Sequence, residues 1–236
     1  MEESKKGNDI FITQKPASNK ISKYISYYYF HKSDDQNYQK NFIFYPNYKH
    51  AITVYKNSEV ILSNDQSYIK PAKNSSLQTL YSINKDKSIK VSINGTFDKI
   101  GIVFNPLGIN HFIETPLFEI IRSNFGDFSY FGDELNLILS QVYSESEIEK
   151  KVILLDHFFE KKINPFHEPI LKKAVGEIIL SNGGIKVSEL SEKLNVNRKT
   201  LLRLFNKHTF MSVEEYRKMV MFRQAFNFFH HRFLHS

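Results

Sequence analysis

From residue 24 to residue 104 apolar and polar positions alternate in short runs, YISYYYF, NFIFY, AITVY, EVILS, SYIK, LQTLYSI, SIKVSI and KIGIVF. A period of two over so few residues marks strands with one buried face, and turn-forming residues separate the runs. The repetition predicts a mostly antiparallel β-sandwich or β-barrel. Two joins read as hairpins, Lys56-Asn57-Ser58 between AITVY and EVILS and Asn94-Gly95 between KVSI and KIGIV. Asn and Gly tolerate the left-handed backbone that tight turns need.

After Pro106 the period lengthens to that of helices. Between residues 117 and 163, Ser144 and Glu147 have capping-box spacing and predict a helix carrying Ile148, Val152, Leu155 and Phe159 on one stripe. Pro165 and Pro169 punctuate the chain, Pro169 where a first-turn proline is tolerated. A helix with Ile170, Ala174 and Ile178 in line follows, stopped at Gly183-Gly184. Ser212 and Glu215 form a second capping box that opens a helix over residues 213–229. The chain is therefore expected to be α+β, with a β-rich domain over residues 1–116, a helical connector over 117–165 and an all-α domain over 166–236.

Within the last part, a helix over 187–194, a break at Asn195-Val196-Asn197 and a helix over 198–208 have helix-turn-helix spacing. Asn195 accepts left-handed angles at the end of the first helix, Asn197 can cap the second, Val196 plugs the corner, and Ser191 is small enough for close approach. Leu201, Leu204, Phe205 and His208 fall on one apolar face. Arg198, Lys199, Leu202, Arg203 and Asn206 lie opposite. A helix with that outward face has the shape and charge to enter a major groove. The plain alternative is a helical hairpin with a solvated basic face.

Charge favours the first reading. Of 32 Lys/Arg and 25 Asp/Glu in 236 residues, ten and four respectively fall from residue 186 onward, so nearly all of the +7 surplus lies at one end. Phosphates neutralised by Lys and Arg release counterions and drive association whatever the base sequence. The stretch from residue 118 to 166 is acidic by contrast, with nine Asp/Glu against five Lys/Arg. With no Cys, thiol catalysis, disulfides and Cys-ligated zinc are excluded. No run approaches the roughly 18 apolar residues that span a bilayer, and MEESKKGNDIFITQKP lacks a signal-peptide core, so a cytoplasmic protein without membrane contact is expected.

Catalytic chemistry finds little support. His31, His50 and His111 lack the clustering of metal-dependent barrels, and His230, His231 and His235 have no adjacent carboxylate. The run Tyr27-Tyr28-Tyr29-Phe30 reads as alternating core and surface more readily than as a ligand pocket. Acid pairs such as Asp133-Glu134 sit on amphipathic segments, and Lys70 and Lys90 have no partner to make them nucleophiles. No enzyme activity, cofactor or metal is expected.

Leu190-Ser191, Asn195-Val196-Asn197-Arg198, Leu201, Arg203, Phe205, Ser212, Tyr216, Phe222, Arg223 and Ala225 together resemble the first helix-turn-helix and linker helix of the AraC/XylS family of bacterial transcription regulators. KIGIVFNPLGINHFIETPLFEI is similar to the end of the β-domain in one branch of that family, where an F-x-P-x-G turn leads into a helix. The resemblance implies a cupin-like sensor or dimerisation domain with room for a small-molecule effector, and a homeodomain-like reading head. It implies sequence-specific recognition of double-stranded DNA, a homodimer, and RNA polymerase as a further contact. Base-facing positions fall on Lys199, Leu202 and Arg203, and phosphate contacts on Arg198, Asn206 and Lys207. Phe210, Val213 and Met221 replace a glycine, a proline and an arginine usual in the family. The family's second helix-turn-helix is also missing from the sequence. An interrupted gene and a functional half-head both fit that departure. The competing class is a cupin-like ligand-binding or catalytic barrel whose helical tail mediates association and whose DNA binding is lost by truncation.

Overall fold

A computed structural model describes residues 9–233 apart from 64, 84, 86 and 87, with side chains described as far as residue 228. The first eight residues, His235, and the side chains of His230 and His231 lie outside the described part. The fold is α+β. Strands β1 (Ile10–Gln14), β2 (Ile25–Ser33), β3 (Gln39–Phe44), β4 (Ala51–Lys56), β5 (Ser58–Leu62), β6 (Gln66–Pro71), β7 (Leu77–Ser82), β8 (Ile89–Asn94), β9 (Phe97–Phe104) and β10 (Phe125–Asp127) form two sheets. The larger has the order β1-β2-β9-β4-β7-β10 and the smaller β3-β8-β6-β5. The helices are α1 (Leu117–Ile120), α2 (Gly132–Ser144), α3 (Ile148–Lys161), α4 (Pro169–Leu180), α5 (Val187–Lys193), α6 (Arg198–Thr209) and α7 (Val213–Phe233).

Several expectations need correction. The sheets face each other as an open sandwich, and neither closes into a barrel. The small sheet is mixed, because β6 and β8 run parallel. Neither expected hairpin forms: β4 pairs with β7 and β9 while β5 pairs with β6, and β8 and β9 likewise belong to different sheets. Asn57 (φ 53°) and Gly95 (φ 76°) do take left-handed backbone, but as corners that pass the chain from one sheet to the other. Both flanking strands have a buried face, so each satisfies its backbone with a more distant partner. The edge strands β1 and β10 were not legible in the pattern. Ser144 ends α2 instead of capping α3, and the Glu145 carboxylate accepts from the Ser146 and Glu147 N–H groups at 2.7 and 2.9 Å.

Alternation along the large sheet sends Tyr28, Phe30, Ile52, Val54, Ile100 and Ile102 to one side. There they pack with Leu135 and Leu139 of α2 and Leu155 and Phe159 of α3. Asp156 of α3 is buried at this junction and accepts from the Tyr28 hydroxyl at 2.7 Å and the Ser18 N–H at 2.8 Å. Burial pushes its carboxyl above the usual range. The same apolar cluster continues without a break to Leu171, Leu201, Phe205 and Tyr216. In the FNPLG turn Leu107 is left-handed (φ 62°), and a Cβ on Gly108 would stand 2.0 Å from the Tyr24 carbonyl oxygen. Glycine is required there by close backbone approach, and a 3-10 helix, Gly108–His111, follows. Among the described residues no helix is long and apolar enough to cross a membrane.

Candidate nucleic-acid interface

The end of the chain stacks α4, α5, α6 and α7 around Leu201, Leu204 and Phe205, with the Phe205 and Tyr216 rings edge to face at 5.5 Å. Each turn is fixed by its own residues. Glu189 accepts from the Lys186 N–H at 3.1 Å, and Asn195 takes the left-handed conformation (φ 51°) after α5. The Asn197 side-chain oxygen then accepts from the Thr200 N–H at 2.7 Å to start α6. Ser191 is buried between the helices with its hydroxyl on the Ser188 carbonyl at 2.8 Å. Ser212 and Glu215 exchange hydrogen bonds of 2.6 and 3.1 Å at the start of α7. These side chains satisfy helix-end N–H groups that would otherwise be orphaned.

Arg198, Lys199, Leu202, Arg203, Asn206 and Lys207 are all exposed along α6, while Leu201, Leu204, Phe205 and His208 are buried. None of the four cations makes an ion pair among the described residues, in contrast to Lys193, which reaches Glu177 at 2.6 Å. The surface is therefore a strip of free positive charge broken by one apolar side chain, Leu202, that is 43% exposed. α6 ends on Phe210 in left-handed backbone (φ 57°). The Phe210 ring lies 6.0 Å from that of Phe118, and its carbonyl accepts from Lys85 Nζ at 3.4 Å.

The far end of α6 is built into the β-sandwich. Asn110 Nδ2 donates to the His208 carbonyl at 3.0 Å, and Lys85 pairs with Glu215 at 3.3 Å. His208 approaches Glu168 at 3.2 Å, and burial lowers its imidazole from the ordinary histidine range. On α7, Arg223 donates to the Tyr45 carbonyl at 3.0 Å, and the Tyr45 and Phe226 rings lie 4.8 Å apart. His50 is buried beside the Thr209 backbone, and burial takes its imidazole down to about 4 against the opposing hydrogen bond to that backbone.

The connection carrying Tyr45, Tyr48 and His50 has a second side. Asn47, Lys49 and Ala51 line a cavity of about 420 Å³ between the two sheets. Tyr27 and Tyr29 line it as well, so alternate members of the aromatic run face a cavity instead of solvent, while Tyr28 and Phe30 face the helices. Lys99, buried in β9, points into this space. His31 Nε2 lies 2.6 Å from Asp9, which also binds Lys40 at 2.7 Å. Burial takes His31 down to about 4, and the Lys40 and His31 hydrogen bonds hold Asp9 at about 2 against its own desolvation. Lys99 is a functional candidate that composition and motifs do not single out. Its parity with Gly101 and Val103 in KIGIVF was a signal that it points inward. Among the described residues no group of three or more His, Asp or Glu could hold a metal ion.

Comparison of the chain with protein-family models, with curated proteins and with solved structures found no match.

Proposed function

We propose that the chain is a sequence-specific, DNA-binding transcription regulator of the AraC/XylS type, acting in the cytoplasm, with α5 and α6 as its helix-turn-helix. α6 enters the major groove. Lys199, Leu202 and Arg203 face base edges, and Arg198, Asn206 and Lys207 contact phosphates. The observation that carries this reading is the strip of four cations, unpaired among the described residues, on a helix whose opposite face is locked into a core. A surface helix stabilised for its own sake gains from Glu–Lys pairing three or four residues apart, and α6 contains no acidic residue at all. The Arg203 fork suits guanine O6 and N7, whereas Leu202 offers contact to a thymine methyl. The β-sandwich acts as the sensor and holds two copies together.

Selection from a randomised duplex pool, followed by anisotropy titrations at several salt concentrations, tests the assignment. Arg203→Ala should relax base preference at one position. Lys207→Ala should weaken all sequences alike and reduce the salt slope by about one. Equal, sequence-independent losses for both variants would remove Arg203 from the reading role.

A further inference from the structure

The cavity between the sheets has an apolar body and an unbalanced positive lining. Phe42, Phe44, Tyr29, Tyr55, Leu80 and Val91 supply much of its wall, and Lys40, Lys49 and Lys99 belong to the same lining. Lys40 reaches a carboxylate, that of Asp9. Lys49 donates to the Ser26 hydroxyl at 2.9 Å and meets no carboxylate among the described residues. Lys99 has no hydrogen-bond acceptor or carboxylate in reach among the described residues. Its Nζ instead lies 5.7 Å from the Phe42 and Tyr55 ring centres and 5.8 Å from that of Phe97.

A lysine that is 6% exposed and unpaired is unusual, because burying an ammonium is costly unless an anion or hydrogen bonds offset it. Cation-π contact offsets part of that cost but leaves the N–H donors unused. An anion would supply the partner that such a group lacks.

We propose that this cavity binds an organic monoanion, a carboxylate carried on an aromatic or medium-chain aliphatic body, with the carboxylate seated on Lys99 Nζ and the body against the aromatic wall. The volume of about 420 Å³ lies within the roughly 300–1,000 Å³ range of small-molecule sites. An inorganic anion would leave the apolar wall unfilled, and a neutral polyol would meet rings where it needs hydrogen-bonding groups. Half-buried Lys49 adds a second positive charge to the field that draws the anion in. Burial, together with the charge of Lys40, holds Lys99 at about 8, so the seat is charged at neutral pH and discharges in mildly alkaline solution. The proposal rests on the cavity alone and stands whether or not α6 binds DNA.

Calorimetric titration of the full chain with naphthaleneacetate and decanoate, and with the neutral counterparts naphthaleneethanol and decanol, is the test. At least one acid should bind about tenfold or more tightly than its alcohol, the gain expected of one charge-assisted hydrogen bond. Lys99→Met should bring the acid to within about twofold of the alcohol while leaving alcohol affinity unchanged, which also shows that the variant is folded. In the unaltered chain the acid's advantage should shrink above about pH 8, a readout that needs no variant. Absence of binding by all four compounds, equal binding of acid and alcohol, or a preference that survives both Lys99→Met and alkaline pH would overturn the proposal.

Discussion

The side-chain amide of Asn110 donates to the backbone carbonyl of His208 over 3.0 Å, both residues being buried. That bond ties the segment following β9 to the last turn of α6. A helix C-terminus has carbonyls without intrahelical partners, and this one is satisfied by a residue 98 positions earlier in the chain. Asn110→Ala should therefore cost about 1–3 kcal/mol, the cost of leaving a buried acceptor unmet. Urea unfolding measures it, and a loss near zero would mean that water replaces the amide.

Phe205 is fully buried and packs edge to face on Tyr216. Phe205→Ala should cost about 3–5 kcal/mol, a large part of the stability of an ordinary domain. Because the apolar cluster is continuous from the helices to the large sheet, the loss should appear in the main unfolding transition seen by both circular dichroism and tyrosine fluorescence. Two transitions, of which only one moves, would contradict that coupling.

Acid should destabilise the fold through its histidines. His50 is 4% exposed, and burial lowers it to about 4 from 6.5; burial moves His31 and His111 in the same direction. The folded chain thus keeps His50 neutral, while the unfolded chain takes up a proton below pH 6.5. Its contribution is fully present above pH 6.5 and is lost as pH falls towards 4, amounting to on the order of 3 kcal/mol at the acid end. Melting temperatures from pH 7 to 4.5 should fall, and His50→Gln should flatten the curve; a flat curve for the unaltered chain would contradict the assignment.

Gly108 has no room for a methyl group, since its Cβ would stand 2.0 Å from a backbone oxygen of Tyr24. Backbone cannot swing aside as a side chain does, so Gly108→Ala should cost about 3 kcal/mol or more. Gly176→Ala is the control. A Cβ there meets nothing within 4 Å, and removing a helical glycine should stabilise by about 0.5–1 kcal/mol. Equal effects of the two substitutions, read by thermal unfolding, would show that the FNPLG turn relaxes.

The sequence by itself determined the strands between residues 24 and 104, the longer helices after them, and which face of α6 is buried. All follow from periodicity and local capping: Leu201, Leu204 and Phe205 recur at helical spacing, and Asn195, Asn197, Ser212 and Glu215 act on backbone within a few residues of themselves. Strand partnership was not legible. A corner at Asn57 or Gly95 uses the same left-handed residue as a hairpin, and only the distant strands that complete each ladder distinguish the two. The edge strands were missed for the same reason, since IFITQ and FGD become strands by pairing with β2 and β7. The cavity lay further out of reach. Tyr29, Phe42, Lys49 and Lys99 come from four strands or connections and meet only when two twisted sheets face each other. Parity along β9 indicates that Lys99 points inward, but whether that interior is packed or open depends on the separation of the sheets. Tertiary structure alone decided this, because cavity volume is set by all the side chains around a space and by none of them singly.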